Sequence, residues 1–150
     1  MAEVPLYAVD ASAILKVHFQ EESGSQEALD LMIDYVTGRV NLIGPHQLSY
    51  EVARVIRSRV FAGRLAQSQA QRFLIDFLAL RIPLEHPDGL ISTAYDFSFS
   101  YGLSFYDSLY VALAQIRGCS LITPDEGIIS AVGTRLPLAL RIQDYQLFSI

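Results

Sequence analysis

The strongest constraint on this chain is its alternation of short apolar runs, one ending at an acid and another followed by one two residues on, with longer segments of helical period. Leu6–Asp10 (LYAVD) is apolar up to an aspartate and reads as a buried strand. Asn41–Gly44 (NLIG, closed by Pro45), Arg81–Leu84, Ser120–Thr123 (SLIT) and Leu138–Ile142 are expected as further strands. Between them, Ala11–Phe19 and Ser23–Val36 read as helices, the second with apolar Ala28, Leu29, Met32, Ile33 and Val36. Ser49–Phe61 carries the stripe Val52, Val55, Ile56 and Val60 and is stopped by Gly63. Gln67–Leu80 and Phe105–Arg117 are also helical, Gly118 ends the latter, and Pro124 opens a short helix. Asp88–Tyr101 fits two periods. Tyr95, Phe97, Phe99 and Tyr101 alternate as in a strand, whereas Ile91, Ala94, Tyr95 and Ser98 recur as in a helix. Helix is the expectation, because Leu84 to Ser104 would otherwise be a long connection without one. The whole pattern predicts an α/β layer fold with a mainly parallel sheet, in one domain spanning 1–150.

In such sheets ligands bind at the carboxyl ends of the strands, so acids placed there matter most. Asp10 ends the first strand and Asp125 follows Ser120–Thr123 by two residues. Glu51 is expected in the first turn of the helix after the second strand, and Asp107 in the first turn of the helix starting near Ser104. Each has a purely structural explanation. Ser104 with Asp107 fits a capping box, and Thr123-Pro124-Asp125-Glu126 fits another with Thr123 as N-cap. Glu51 would gain from the helix dipole, and Asp10 could cap the helix after it. Caps alone do not require acids inside apolar flanks such as AVDASAIL, YDSLYVAL and LITPDEGI, where an unpaired charge is costly. Four carboxylates gathered in one pocket would repel one another and take up a hard cation, Mg²⁺ or Mn²⁺. Such an ion suits phosphodiester hydrolysis, and the chain shows no G-x-S-x-G or Cys–His arrangement for a covalent alternative.

Composition removes several other classes. The one cysteine, Cys119, excludes an intrachain disulfide and a zinc cluster of several thiolates, and reads as buried packing. His18, His46 and His86 are dispersed and read as surface or internally satisfied residues. No apolar run reaches the roughly 18–20 residues that span a bilayer, and MAEVPLYAVD does not resemble a secretory signal. A cytoplasmic, reduced protein is the expectation. The net charge of −5 argues against a general polyanion-binding surface. Yet the cations are all Arg except Lys16, and Arg54, Arg57, Arg59 and Arg64 fall in one segment. Arginine's planar fork suits phosphate, so Arg54, Arg57 and Arg59 are RNA-contact candidates; a solvated helix face or a compositional bias explains them as well.

The stretches Val9–Leu15 (VDASAIL), Tyr50–Val55 (YEVARV), Phe105–Ala114 (FYDSLYVALA) and Leu121–Glu126 (LITPDE) resemble, in order and spacing, the PIN-domain family. Within it the likeness is to the single-domain toxins of bacterial and archaeal toxin–antitoxin pairs. The resemblance covers nearly the whole chain. It implies a three-layer α/β/α sandwich around a parallel sheet of four or five strands. It implies that Asp10, Glu51, Asp107 and Asp125 line a metal pocket, with Asp10 and Asp107 as direct ligands and Glu51 and Asp125 binding a second ion or orienting water. Ser12 and Thr123 match the family's hydroxyl positions. The resemblance further implies an Mg²⁺- or Mn²⁺-dependent endoribonuclease acting on structured RNA, a homodimer, and an antitoxin protein that blocks the pocket.

The sequence departs from the family's pattern at two places. Many members carry Asn three residues after the Glu, where this chain has Arg54, and the residue before the last Asp is often small, where this chain has Pro124. Arg54 is expected to pair with Glu51 one turn away, with contact to substrate phosphate as the other reading. If Arg54 instead fills the pocket, the chain becomes a non-catalytic PIN-fold module that binds RNA or a protein, with Tyr95–Tyr106 as an interface. A receiver-like or phosphatase-like domain fits less well. Such sites want a second acid beside the strand-one Asp and a Lys after a later strand, whereas here the stretch is Asp10-Ala11-Ser12 and Lys16 lies in the first helix.

Overall fold

A computed structural model describes residues 3–19, 22–133 and 138–146. Five parallel strands form one sheet: β1 (Leu6–Val9), β2 (Asn41–Pro45), β3 (Leu84–Glu85), β4 (Ser120–Thr123) and β5 (Ala139–Arg141), in the order β3-β2-β1-β4-β5. The helices are α1 (Ala11–Leu15), α2 (Ser25–Val36), α3 (Gln47–Phe61), α4 (Gln67–Leu80), α5 (Leu90–Ser100), α6 (Phe105–Arg117) and α7 (Glu126–Val132). The path steps outward from β1 to β2 and β3, then returns across the sheet to β4 and β5. Right-handed crossovers therefore put α1–α4 on one face and α5–α7 on the other. Packing follows that division, with α3 along α4, α1 against α3, α5 along α6, and α6 resting on β1, β2 and β4.

The core is the sheet's apolar interior with α6 over it. Ala8, Val9, Leu42, Ile43, Leu121 and Ile122 are buried with Tyr110, Val111, Leu113 and Ala114. Strands covered on both faces need apolar residues at consecutive positions, which is why these runs do not alternate with polar residues. Helix ends follow local chemistry. Ser104 caps α6 by accepting from the Asp107 N–H at 3.1 Å, and Gly118 closes it at φ 63°, a conformation that a Cβ resists.

Several boundaries differ from the sequence reading. The first helix does not run to Phe19; after Leu15 it tightens into a 3-10 turn over Lys16–His18. The third strand is Leu84–Glu85 and not Arg81–Leu84. Arg81 caps α4 in the left-handed region at φ 50°, and Pro83 has no N–H for a ladder. The last strand shrinks to Ala139–Arg141, because Ile142 begins a 3-10 turn over Ile142–Asp144. The ambiguous segment is helical over Leu90–Ser100, as expected. Cys119 is half-buried against the core, and His18 stacks on Phe73 with ring centroids 4.1 Å apart.

The C-terminal turn is fastened to α2 through a buried pair. The Tyr145 hydroxyl donates to Asp34 Oδ2 at 2.6 Å, and Arg39 lies 3.7 Å from the other carboxylate oxygen. Both Tyr145 and Asp34 are buried, so losing the donor would leave an underpaired carboxylate in the interior. Tyr145→Phe should destabilise the protein by about 1–3 kcal/mol in urea denaturation. A variant as stable as the parent would show that the contact contributes nothing.

Candidate functional site

The strand order reverses direction between β1 and β4, and at such a switch point the diverging connections leave a crevice beyond the carboxyl ends. The register pairs Val9 with Ile122, and the Asp10 N–H donates to the Ile122 carbonyl at 3.3 Å. Asp10 and Thr123 are therefore neighbours across two strands. The Thr123 hydroxyl donates to Asp10 Oδ2, and the other carboxylate oxygen caps α1 by accepting from the Ala13 N–H at 2.9 Å. Thr123 Oγ1 in turn accepts from the Asp125 N–H at 3.0 Å. Asp125 is the N-cap of α7, its Oδ1 accepting from Gly127 and Ile128 at 2.8 and 3.3 Å. The cap expected at Thr123 is thus displaced by two residues, because the Thr123 hydroxyl is spent on joining Asp10 to the Asp125 backbone.

Glu51 comes from the other side of the crevice. The helix α3 begins at Gln47, so Glu51 lies in its second turn and not its first, which removes the helix-dipole explanation for an acid there. Glu51 Oε2 accepts from the Tyr110 hydroxyl of α6 at 2.8 Å. Asp107 stands one turn before Tyr110, in the first turn of α6. A cleft of about 530 Å³ is lined by Ser12, Gln47, Tyr50, Glu51, Arg54, Tyr106 and Asp107, with Ala11 and Val55. A second cleft, lined by Ser12, Lys16, Glu22, Arg59 and Asp125 among others, adjoins it through Ser12.

The four acids influence one another in a closed ring. Burial pushes the Asp10 carboxyl from 3.8 to about 7, against the pull of its bonds to Thr123 and Ala13, and the charges of Asp125 and Glu51 raise it further. Burial also raises Glu51; Asp107 adds to the shift, while the Tyr110 bond and the Arg54 charge oppose it. Asp107 is raised by burial and by Asp125. Among the described residues, no three His, Cys, Asp or Glu side chains stand together in ligating geometry. The chemistry of the donor set nonetheless fits a hard divalent ion. Glu51 and Asp107 line the first cleft and Asp125 the second, Asp10 is buried and lines neither, and no imidazole or thiol lines either cleft.

The arginines separate. The ion pair expected between Arg54 and Glu51 is not formed; Arg54 is exposed at the cleft wall and acts on Glu51 only through its charge. Arg59 stacks over Phe19 at 3.8 Å and pairs with Glu22, which also pairs with Lys16, each at 3.2 Å. Arg57 faces away, stacked on Phe61 at 4.3 Å beside the groove between α3 and α4. Sequence reasoning missed Tyr110, which falls on the apolar stripe of α6 and reads as core. Its position three residues after Asp107, one helical turn on, was the available signal.

An α/β domain with carboxylates from several elements gathered at its topological switch point is the class defined by this fold and site. The chain belongs to the PIN-domain family: the family model, described as PIN domain, matches residues 7–133. It is similar to Ribonuclease VapC1 of Mycobacterium tuberculosis, in strains CDC 1551 / Oshkosh and ATCC 25618 / H37Rv. The identity is 32% over 98 residues, 65% of this chain and 71% of the relative. The crystal structure of PAE2754 from Pyrobaculum aerophilum has the same fold. Its TM-score is 0.66 at 23% identity, covering 93% of this chain and 92% of that one. No helix among the described residues is long and apolar enough to cross a membrane.

A carboxyl with a raised folded-state pKa holds its proton more tightly folded than unfolded. The stabilisation from Asp10 is therefore complete below 3.8 and lost as pH climbs through about 7, and the raised Glu51 and Asp107 act in the same direction. Metal-free protein in EDTA should lose stability across that window, by on the order of a few kcal/mol at about 1.4 kcal/mol per unit. Asp10→Asn should flatten the slope in denaturation at a series of pH values. A parent protein with no slope there would show that the carboxyls are not raised.

Proposed function

We propose that the chain is a metal-dependent endoribonuclease, built as a single PIN domain and acting as the toxin of a toxin–antitoxin pair. The observation that carries this reading is the ring of four mutually raised or raising carboxylates, Asp10, Glu51, Asp107 and Asp125, at the switch point of the sheet. The relationship to Ribonuclease VapC1 supports RNA as substrate and an antitoxin protein as partner. A homodimer and a cytoplasmic location complete the proposal.

Asp10, Glu51, Asp107 and Asp125 would hold Mg²⁺ or Mn²⁺. Such an ion, when bound, makes water a stronger acid and neutralises charge on a phosphate oxygen. The protein's own groups fix the geometry. Thr123 orients Asp10, Tyr110 orients Glu51, and the Gly127 and Ile128 N–H groups orient Asp125. Ser12 lies at the join of the two clefts, where its hydroxyl can position water or a phosphate oxygen. The cation at Arg54 flanks the same cleft and suits a phosphate beside the one cleaved.

A second reading, a binding module without catalysis, is favoured by that same Arg54 standing where it lowers Glu51 and competes with a metal's charge. One assay separates the two. Purified protein should cleave cellular RNA in Mg²⁺ or Mn²⁺ and not in EDTA. Asp107→Asn should reduce the rate by about 100-fold or more, since losing groups that merely orient metal ligands already costs about 10- to 100-fold. Undiminished cleavage by Asp107→Asn would remove the acid from the mechanism. Mn²⁺ should also raise the melting temperature, in line with about 2.7 kcal/mol at 100 times its Kd. A melting temperature indifferent to metal would argue for the module.

A further inference from the structure

Two exposed tyrosines flank the acidic cleft, and the nuclease chemistry uses neither. Tyr50 is 76% exposed and immediately precedes Glu51; Tyr106 is 64% exposed and immediately precedes Asp107. Both line the cleft of about 530 Å³ together with Arg54. The Gln47 side-chain amide donates to the Tyr106 carbonyl at 3.1 Å, so the start of α3 and the start of α6, which carry the two rings, are tied across the cleft. Phe61 and Phe99 are comparably exposed but lie outside this cleft.

We infer that Tyr50 and Tyr106 form a stacking site for unpaired nucleobases of an RNA strand, one on each side of the phosphate that faces Glu51 and Asp107. The position of that phosphate rests on the nuclease reading; the stacking itself does not. An aromatic face accepts any base, and the base must be free of its duplex neighbours to reach it. The cleft volume falls in the usual range of about 300–1,000 Å³ for small-ligand sites, which accommodates individual nucleotide units. Arg54 completes the site with a planar cation that takes phosphate or stacks on a base.

The test uses Asp107→Asn protein in Mg²⁺, a short fluorescent single-stranded RNA, and fluorescence anisotropy. Tyr50→Ala and Tyr106→Ala should each weaken binding by about 5- to 150-fold, the equivalent of ~1–3 kcal/mol per stacked base. Tyr50→Phe and Tyr106→Phe keep the ring and should bind within about two-fold of the parent. The salt dependence should be unchanged in the alanine variants and shallower in Arg54→Gln, since stacking releases no counterions. A fully paired duplex of the same sequence should not distinguish the variants. Alanine variants that bind the single strand as tightly as the parent, or Asp107→Asn protein that binds no RNA, would overturn the inference and leave the rings as a protein-contact surface. Cleavage of the same RNA by the unaltered protein is read in parallel. No cleavage with tyrosine-dependent binding would sink the nuclease reading alone. Cleavage with an unchanged KM in the alanine variants would sink the stacking site alone.

Discussion

The parallel register of β1 against β4 sets the position of everything else in the cleft. It brings a carboxylate that ends one strand beside a hydroxyl that ends the next, and that hydroxyl holds both Asp10 and the Asp125 backbone. Asp10 is only 5% exposed, a setting in which an isolated charge is expensive. Two hydrogen bonds offset part of that cost without eliminating it, as the raised carboxyl shows. The remaining imbalance is the useful property: a site whose anions are incompletely satisfied by the protein has affinity left for a cation.

The sequence made the strands and acids legible for a physical reason. Runs such as LYAV and SLIT are apolar at consecutive positions, which only burial on both sides explains, and an acid at the end of such a run stands out. The same logic located Asp107, because Ser104 marks the start of α6. It failed where long-range contacts decide. The start of α3 lies two residues before the expected Ser49, and this alone moves Glu51 from a first turn to a second. Thr123 was expected to cap α7, but its partner across the sheet, Asp10, is 113 positions away in the chain. Tyr110 looked like core because it is core, at 2% exposure; only its hydroxyl reaches the acids. Arg81 and Pro83 show the limit for strand ends, where backbone conformation overrules composition.

Helix α3 shows how one element serves separate purposes. Glu51, Arg54 and Val55 face the acidic cleft, Arg59 turns to Phe19 and Glu22, and Ile56, Arg57 and Val60 face the α4 groove. At 3.6 residues per turn, cations at 54, 57 and 59 cannot share one face. Their clustering in sequence suggested one basic patch, and the helix disperses it. Arg54 is left as the arginine of α3 beside Glu51, where it tempers the repulsion that the acids create.

This dispersal bears on how a chain with net charge −5 could engage a polyanion. Affinity for nucleic acid usually comes from several cations displacing counterions together. Here Lys16 and Arg59 are already paired with Glu22, so little of that is available near the cleft. On the proposed reading the attraction must come from elsewhere. A divalent ion held by the acids would offset the negative field that phosphate meets there. Ring stacking is indifferent to charge and survives in salt that would abolish a counterion-driven interaction. Recognition of this kind depends on metal and on exposed bases more than on net charge. A negative protein would then be selective by construction, because nucleic acid without an accessible base or a metal-filled cleft would be repelled.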